Sequence, residues 1–185
     1  GLRAASIYLD EASVTGTETA ILAAASATGT SEVRHAATEP HVVELCNFLM
    51  AMGVEIEGAG TSTVRIHGGA KLTGASHQLE GDYIEAGSWA VIGAITGGDV
   101  EVHGATARHL EPIVTVLKRL NLECHVKGDR LMVSGSKLMG CRQITTAPWP
   151  AFPSDMVSLV TVLATQAEGR TLIHDWMYEL RLFAL

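Results

Sequence analysis

The chain of 185 residues is short of several features that would direct it to particular surroundings or partners. It holds three cysteines, Cys46, Cys124 and Cys141. Their number is odd and no two are spaced C-x-x-C, which argues against a disulfide framework or a zinc site and for reduced thiols. Their plainest use is as small buried hydrophobes. No apolar run reaches the roughly 18 residues of a membrane span. Gly1 is not followed by the basic segment and apolar stretch of a secretory signal. Basic residues are outnumbered: 13 Lys and Arg against 20 Asp and Glu give a net charge of −7. A nucleic-acid surface would need a basic stripe instead. The eight histidines contain no H-x-x-x-H pair, and Gly58-Ala59-Gly60 does not open a helix as a phosphate loop would. These absences lead us to expect a cytoplasmic protein with no nucleic-acid partner, membrane contact, metal or cofactor.

With 47% hydrophobic residues the chain can bury a core as one domain or two small ones. Its order of elements repeats. Residues 5–10 alternate as a strand. Thr15 and Glu18 read as a T-x-x-E capping box for a helix over 20–27, stopped by Gly29. A strand over 31–35 follows, then a helix opened by Glu39-Pro40, with Pro40 where its missing donor costs nothing. Val42, Val43, Leu45, Cys46, Leu49 and Met50 form its apolar face and Gly53 its cap. Strands 54–57 and 63–67 make a hairpin around Gly58-Ala59-Gly60. The pattern then recurs: strand 77–80, helix 88–95 ended by Gly97-Gly98, strand 99–103, a helix opened by Glu111-Pro112, and hairpin strands 122–126 and 130–134. Asn121 stands where Gly53 stood, as the second-choice residue for a left-handed cap. A third copy begins with strand 143–146, a helix to Ala167, Gly169 and strand 170–174, and stops inside its second helix. We read this as a duplicated βαβαββ unit of an α/β (α+β) protein.

Three of the five prolines fall in one stretch, 147–155, which reads APWPAFPSD. Each fixes φ and pushes the residue before it toward extended geometry, which predicts a stiff extended rod carrying Trp149 and Phe152. Met156, Val157, Leu159, Val160, Leu163 and Ala164 then mark one face of a helix. Ser154 and Asp155 sit at its mouth, where backbone N–H groups are free. They are either an ordinary N-cap or a catalytic carboxylate held on a pre-set corner.

The stretch APWPAFPSDM resembles the PAFP(T/S)DM segment of the UDP-N-acetylglucosamine enolpyruvyl transferases. The resemblance extends over essentially the whole chain, through Ala12-Ser13-Val14-Thr15-Gly16-Thr17-Glu18, Glu39-Pro40, Asn47-Phe48-Leu49, Met52-Gly53, Gly58-Ala59-Gly60-Thr61 and Ile84-Glu85-Ala86-Gly87-Ser88. It implies the inside-out α/β barrel of that family, in which six such units form two domains. Residues 1–74 would be the last unit of one domain, 75–185 the first unit and part of the second of the other, and 71–76 the crossing. It also implies transfer of an enolpyruvyl group from phosphoenolpyruvate to the 3-hydroxyl of UDP-N-acetylglucosamine, in peptidoglycan synthesis, without a metal.

On that resemblance Asp155 is the base near the sugar hydroxyl. Ser13, Val14 and Thr15 hold the nucleotide part at a helix N-terminus, or Thr15 is simply a cap. Met177 and Tyr178 pack against the uridine–sugar ligand, or belong to the core. Glu179 and Arg181 are an active-site acid and base, or a solvated helix start. Glu39 faces the site, or caps its helix. Glu11, Tyr83 and Leu180 depart from the lysine, arginine and polar residue common in the family. The family's mobile loop with its proton donor, its amino-terminal lysine and several phosphate-binding arginines would lie before Gly1. The resemblance therefore implies a piece of an enzyme, inactive alone. Leu159, Val160 and Leu163 would lack cover and drive self-association or packing against missing segments. The shikimate-pathway enolpyruvyl transferases, a non-catalytic relative and an RNA 3′-phosphate cyclase-like protein are the alternatives.

Overall fold

Ser13, not Thr15, starts the first helix. In this computed structural model, which describes residues 1–182, the Ser13 Oγ accepts from the Gly16 N–H at 3.2 Å, and helix α1 runs Val14–Ser26. Thr15 already lies in the first turn, so the expected capping box does not form. Gly16 leaves the cap its room, since a Cβ there would stand 3.1 Å from the Ser13 hydroxyl.

The chain divides into two compact units, Gly1–Leu79 and Glu80–Leu185. In the first, strands β1 (Ser6–Tyr8), β2 (Gly29–Arg34), β3 (Glu55–Glu57) and β4 (Thr63–Gly68) form a sheet of order β1-β2-β4-β3. β1 pairs parallel with β2, and the other pairs are antiparallel. Helix α2 (Pro40–Ala51) opens with Pro40, as expected. Its buried face is Val42, Cys46 and Leu49, which join Ile21, Val33, Val64 and Ile66 in the core. Met50 is exposed, which corrects its expected place on that face.

The second unit reuses the same plan. Helix α3 (Tyr83–Thr96) is capped by Asp82, whose Oδ1 accepts from the Ile84 N–H at 2.8 Å. It ends on Gly97 in the left-handed region, φ 68°, where glycine carries no Cβ penalty. Strand β5 (Val100–His103), helix α4 (Ala107–Arg119), and strands β6 (Glu123–Lys127) and β7 (Arg130–Ser134) follow. The order β5-β7-β6 reproduces β2-β4-β3. Asn121 takes φ 63° where Gly53 takes 104°, as the repeat predicted. A third, partial copy holds β8 (Gln143–Thr145), a 3-10 turn (Ser154–Met156), α5 (Val157–Thr165) and β9 (Leu172–His174). β8 pairs parallel with β9 as β1 does with β2.

Several expectations do not hold. Residues 77–80 form no strand; their apolar content is too thin to hold a partner strand. Pro112 does not open α4 but lies inside it. The buried face of that helix already includes His109 and Leu110, so packing extends the helix upstream of the proline. Residues 147–155 are not an extended rod. The Ala147 N–H donates to the Phe152 carbonyl at 3.1 Å and the Ala151 N–H to the Pro148 carbonyl at 3.0 Å, closing a turn that contains a cis Trp149–Pro150 bond. The fold-back buries Phe152 and sets the Trp149 ring edge-on to Tyr83 and His109, at centroid distances of 5.3 and 6.0 Å. Val160 and Leu163 are fully buried with Met156, Ile144 and Leu117, and Leu159 packs against that core, so the expected bare face does not exist. Residues 177–182 form bends and turns rather than a helix start; the remainder of the expected second helix, 183–185, lies outside the described residues.

Candidate active site

Asp155 is the exposed middle residue of the 3-10 turn between the Trp149 fold-back and α5. Two neighbours hold the turn. Met156 is fully buried, and its methyl end reaches α3 where Gly87 has no side chain; a Cβ there would stand 2.9 Å from the Met156 Cε. Ser154 is 4% exposed, and its hydroxyl donates to Asp175 Oδ2 at 2.6 Å. Neither Ser154 nor Asp155 caps the helix: Pro153 holds the cap position and no side-chain cap bond is made. The cap reading therefore fails, and the Asp155 carboxylate faces outward with the Arg181 guanidinium 2.9 Å away.

Arg181 also lies over the Tyr178 ring at 4.9 Å, a cation–π distance, and its carbonyl accepts from the Ser158 hydroxyl at 3.3 Å. Asp155, Tyr178 and Arg181 thus form one chain of contacts. Met177 is half-buried and Tyr178 and Glu179 are exposed, so Tyr178 is not core. Asp175 was not among the residues singled out from the sequence. Its Oδ1 accepts from the Thr146 hydroxyl at 2.6 Å and the Met177 N–H at 3.0 Å. Burial pushes its pKa up, but the Ser154, Thr146 and Met177 hydrogen bonds and the Arg181 charge outweigh it and hold the carboxyl below its ordinary value. The repeat contained a signal for this position. The Thr146 N–H donates to the His174 carbonyl just as the Leu9 N–H does to Arg34, so the residues ending the parallel pair are set side by side.

Ser13, Val14, Thr15 and Glu39 belong to the other unit. The Ser13 hydroxyl is engaged in the cap and Thr15 is exposed, leaving the first backbone N–H groups of α1 as its polar offering. Glu39 occupies the cap position of α2 but makes no capping bond, and its Oε2 is buried without a hydrogen-bond partner among the described residues. It does not serve as a cap.

Among the described residues Glu55, Glu57 and His67 bring ligand atoms within 4.8 Å of one another on the exposed hairpin β3–β4. Exposed acidic groups commonly sit so without a metal. No helix among the described residues is long and apolar enough to cross a membrane.

The fold and the carboxylate–arginine site define a class. Residues 1–181 match the family described as EPSP synthase (3-phosphoshikimate 1-carboxyvinyltransferase), and the chain belongs to that family. Among its curated relatives, proteins of Bradyrhizobium diazoefficiens and Treponema denticola are each 41% identical over 98% and 96% of this chain. Both carry the name UDP-N-acetylglucosamine 1-carboxyvinyltransferase. The chain spans 44% and 43% of their lengths, less than half of each. Among solved structures, the enolpyruvyl transferase NikO from Streptomyces tendae superposes with a TM-score of 0.76 at 22% identity, over 96% of this chain and 46% of that one. An EPSP synthase from Acinetobacter baumannii gives 0.64 at 24%, over 93% and 40%. These two share the fold, which is the α/β (α+β) architecture of the enolpyruvyl transferases.

Proposed function

We propose that this chain is part of a UDP-N-acetylglucosamine 1-carboxyvinyltransferase, which moves the enolpyruvyl group of phosphoenolpyruvate to the 3-hydroxyl of UDP-N-acetylglucosamine in cytoplasmic peptidoglycan synthesis. In this reading the sugar oxygen bonds to C2 of phosphoenolpyruvate while its proton passes to Asp155. A proton adds to C3 and is lost again as the C2–O bond to phosphate breaks, so the products are the enolpyruvyl ether and inorganic phosphate. Arg181 offers a cation beside that base, where negative charge gathers. Met177 and Tyr178 pack against the ligand and Glu179 is a further acid beside them; in the first unit, Ser13, Val14 and Thr15 offer backbone donors to a nucleotide and Glu39 offers an acid.

The single observation that carries the proposal is Asp155: an exposed carboxylate on a turn fixed by its buried neighbours, serving no cap, with a guanidinium at 2.9 Å. The relatives' names support the sugar nucleotide as acceptor. The chain's share of those relatives supports a piece of a longer protein, in which residues 1–74 and 75–185 would belong to two domains. We expect the chain by itself to be inactive.

The family description, which names 3-phosphoshikimate, favours a second reading in which shikimate 3-phosphate is the acceptor. Phosphate release by the full-length protein from phosphoenolpyruvate, with each acceptor in turn, separates the two. Turnover with UDP-N-acetylglucosamine and none with shikimate 3-phosphate is expected; the reverse result overturns the proposal.

A further inference from the structure

We propose that Asp175 is a positioning residue: its carboxylate ties the ends of β8 and β9 to the 3-10 turn, and so fixes the direction of Asp155 and the place of Met177 together. This rests on the reading of Asp155 as the base. Two distant stretches, and the chain just after Asp175 itself, converge on the one carboxylate. Thr146, at the end of β8, gives its hydroxyl to Oδ1; Ser154, in the turn, gives its hydroxyl to Oδ2; and the Met177 N–H closes on Oδ1. Both hydroxyl bonds are 2.6 Å, in the range of charge-assisted O–H···O⁻ bonds, which are about twice as strong as neutral ones. Thr146 and Ser154 are both buried. A hydroxyl has one proton to give, so removing Asp175 leaves two buried donors to find new acceptors, and the backbones carrying them are free to shift.

The consequence for chemistry follows from adjacency. Ser154 directly precedes Asp155, and Met177 directly precedes Tyr178, over whose ring Arg181 lies. Asp175 is therefore joined by one bond to each strand of chain that carries a member of the Asp155–Arg181 pair. It need not touch substrate to matter, because a misplacement of about 1 Å at a reacting group can cost about 100-fold in rate. The core beneath is built by the apolar packing of Met156, Val160, Leu163 and Ile144, and Asp175 is not among its members.

The test uses the full-length protein with Asp175→Ala and Asp175→Asn. Asparagine can still accept from Thr146 and the Met177 N–H and can donate to Ser154, so it keeps the tether without the charge. Asp175→Ala should lower kcat about 100-fold with the KM for phosphoenolpyruvate unchanged, and Asp175→Asn should recover most of that loss. Amide exchange should rise together at Met156, Val157 and Met177 in the alanine variant and stay near wild type in the asparagine variant. Should Asp175→Ala not fold, Ser154→Ala and Thr146→Val each remove one arm and should each cost about tenfold in kcat. Wild-type kcat in folded Asp175→Ala, or equal losses in the alanine and asparagine variants, would overturn the proposal. If the wild-type protein does not use UDP-N-acetylglucosamine, the proposed function fails on its own, and amide exchange still decides: a rise confined to Met177 contradicts the tether, and a joint rise supports it.

Discussion

Asp155 and Arg181 form an ion pair at 2.9 Å while 58% and 38% of their side-chain surfaces remain exposed to solvent. A pair so wetted contributes no more than about 1 kcal/mol to stability, so folding does not account for the carboxylate. Asp155→Ala should therefore shift the denaturant midpoint little, by no more than about 1 kcal/mol. Phe152→Ala, three residues earlier and buried in the core, should cost about 3 to 5 kcal/mol. Equilibrium unfolding of both variants checks the contrast.

Gly68 and Gly135 do the same work in successive copies of the unit. A Cβ on Gly68 would collide with the Ala24 and Ala27 carbonyl oxygens, and one on Gly135 would stand 2.7 Å from the Gly97 oxygen. Backbone cannot step aside as a side-chain tip can, so Gly68→Ala should destabilise by about 3 kcal/mol. Gly74 has nothing within 4 Å of such an atom, and Gly74→Ala should be neutral or stabilising by about 0.5 kcal/mol. Thermal melts of the two variants should differ in sign or nearly so.

Burial pushes the Cys46 thiol up from 9.0 to about 11. A folded pKa above the unfolded one means stability that is complete below pH 9 and is lost as pH rises toward and through 11. The loss by pH 11 should be about 2 kcal/mol. Cys46→Ala, whatever its own cavity cost, should lack this alkaline slope. Urea titrations between pH 8 and 11 measure it.

Asp175 shifts the other way. Its folded pKa lies below the ordinary 3.8, so the stability it contributes is present above that value and is lost as pH falls through the folded one. The stability difference between wild type and Asp175→Asn should accordingly shrink as the pH is lowered beneath 3.8, as acid unfolding of the two proteins would record.

Much of the architecture was legible because the repeat was. Gly29 and Gly169 take φ 104° and 109° at matching places, and Asn121 fills the left-handed cap that Gly53 fills earlier. What misled was local chemistry overruled by packing. Pro112 resembles a helix opener, yet the buried face of α4 begins ahead of it. The prolines around Trp149 suggest a rod, yet burial of Phe152 folds them into a turn. Thr15 fits a capping box, yet Ser13 two residues earlier makes the cap. At the site, Asp155 was legible from its motif. Asp175 was not, because its importance lies in partners 29 and 21 residues away, Thr146 and Ser154, which come together only when β8 and β9 pair.

The most direct measurement is turnover of phosphoenolpyruvate and UDP-N-acetylglucosamine by the full-length protein with Asp155 intact and replaced by Ala. Loss of a general base costs about 10²- to 10⁴-fold, and we predict a fall in kcat within that range with the fold unchanged. Wild-type turnover in a folded Asp155→Ala protein would contradict the account.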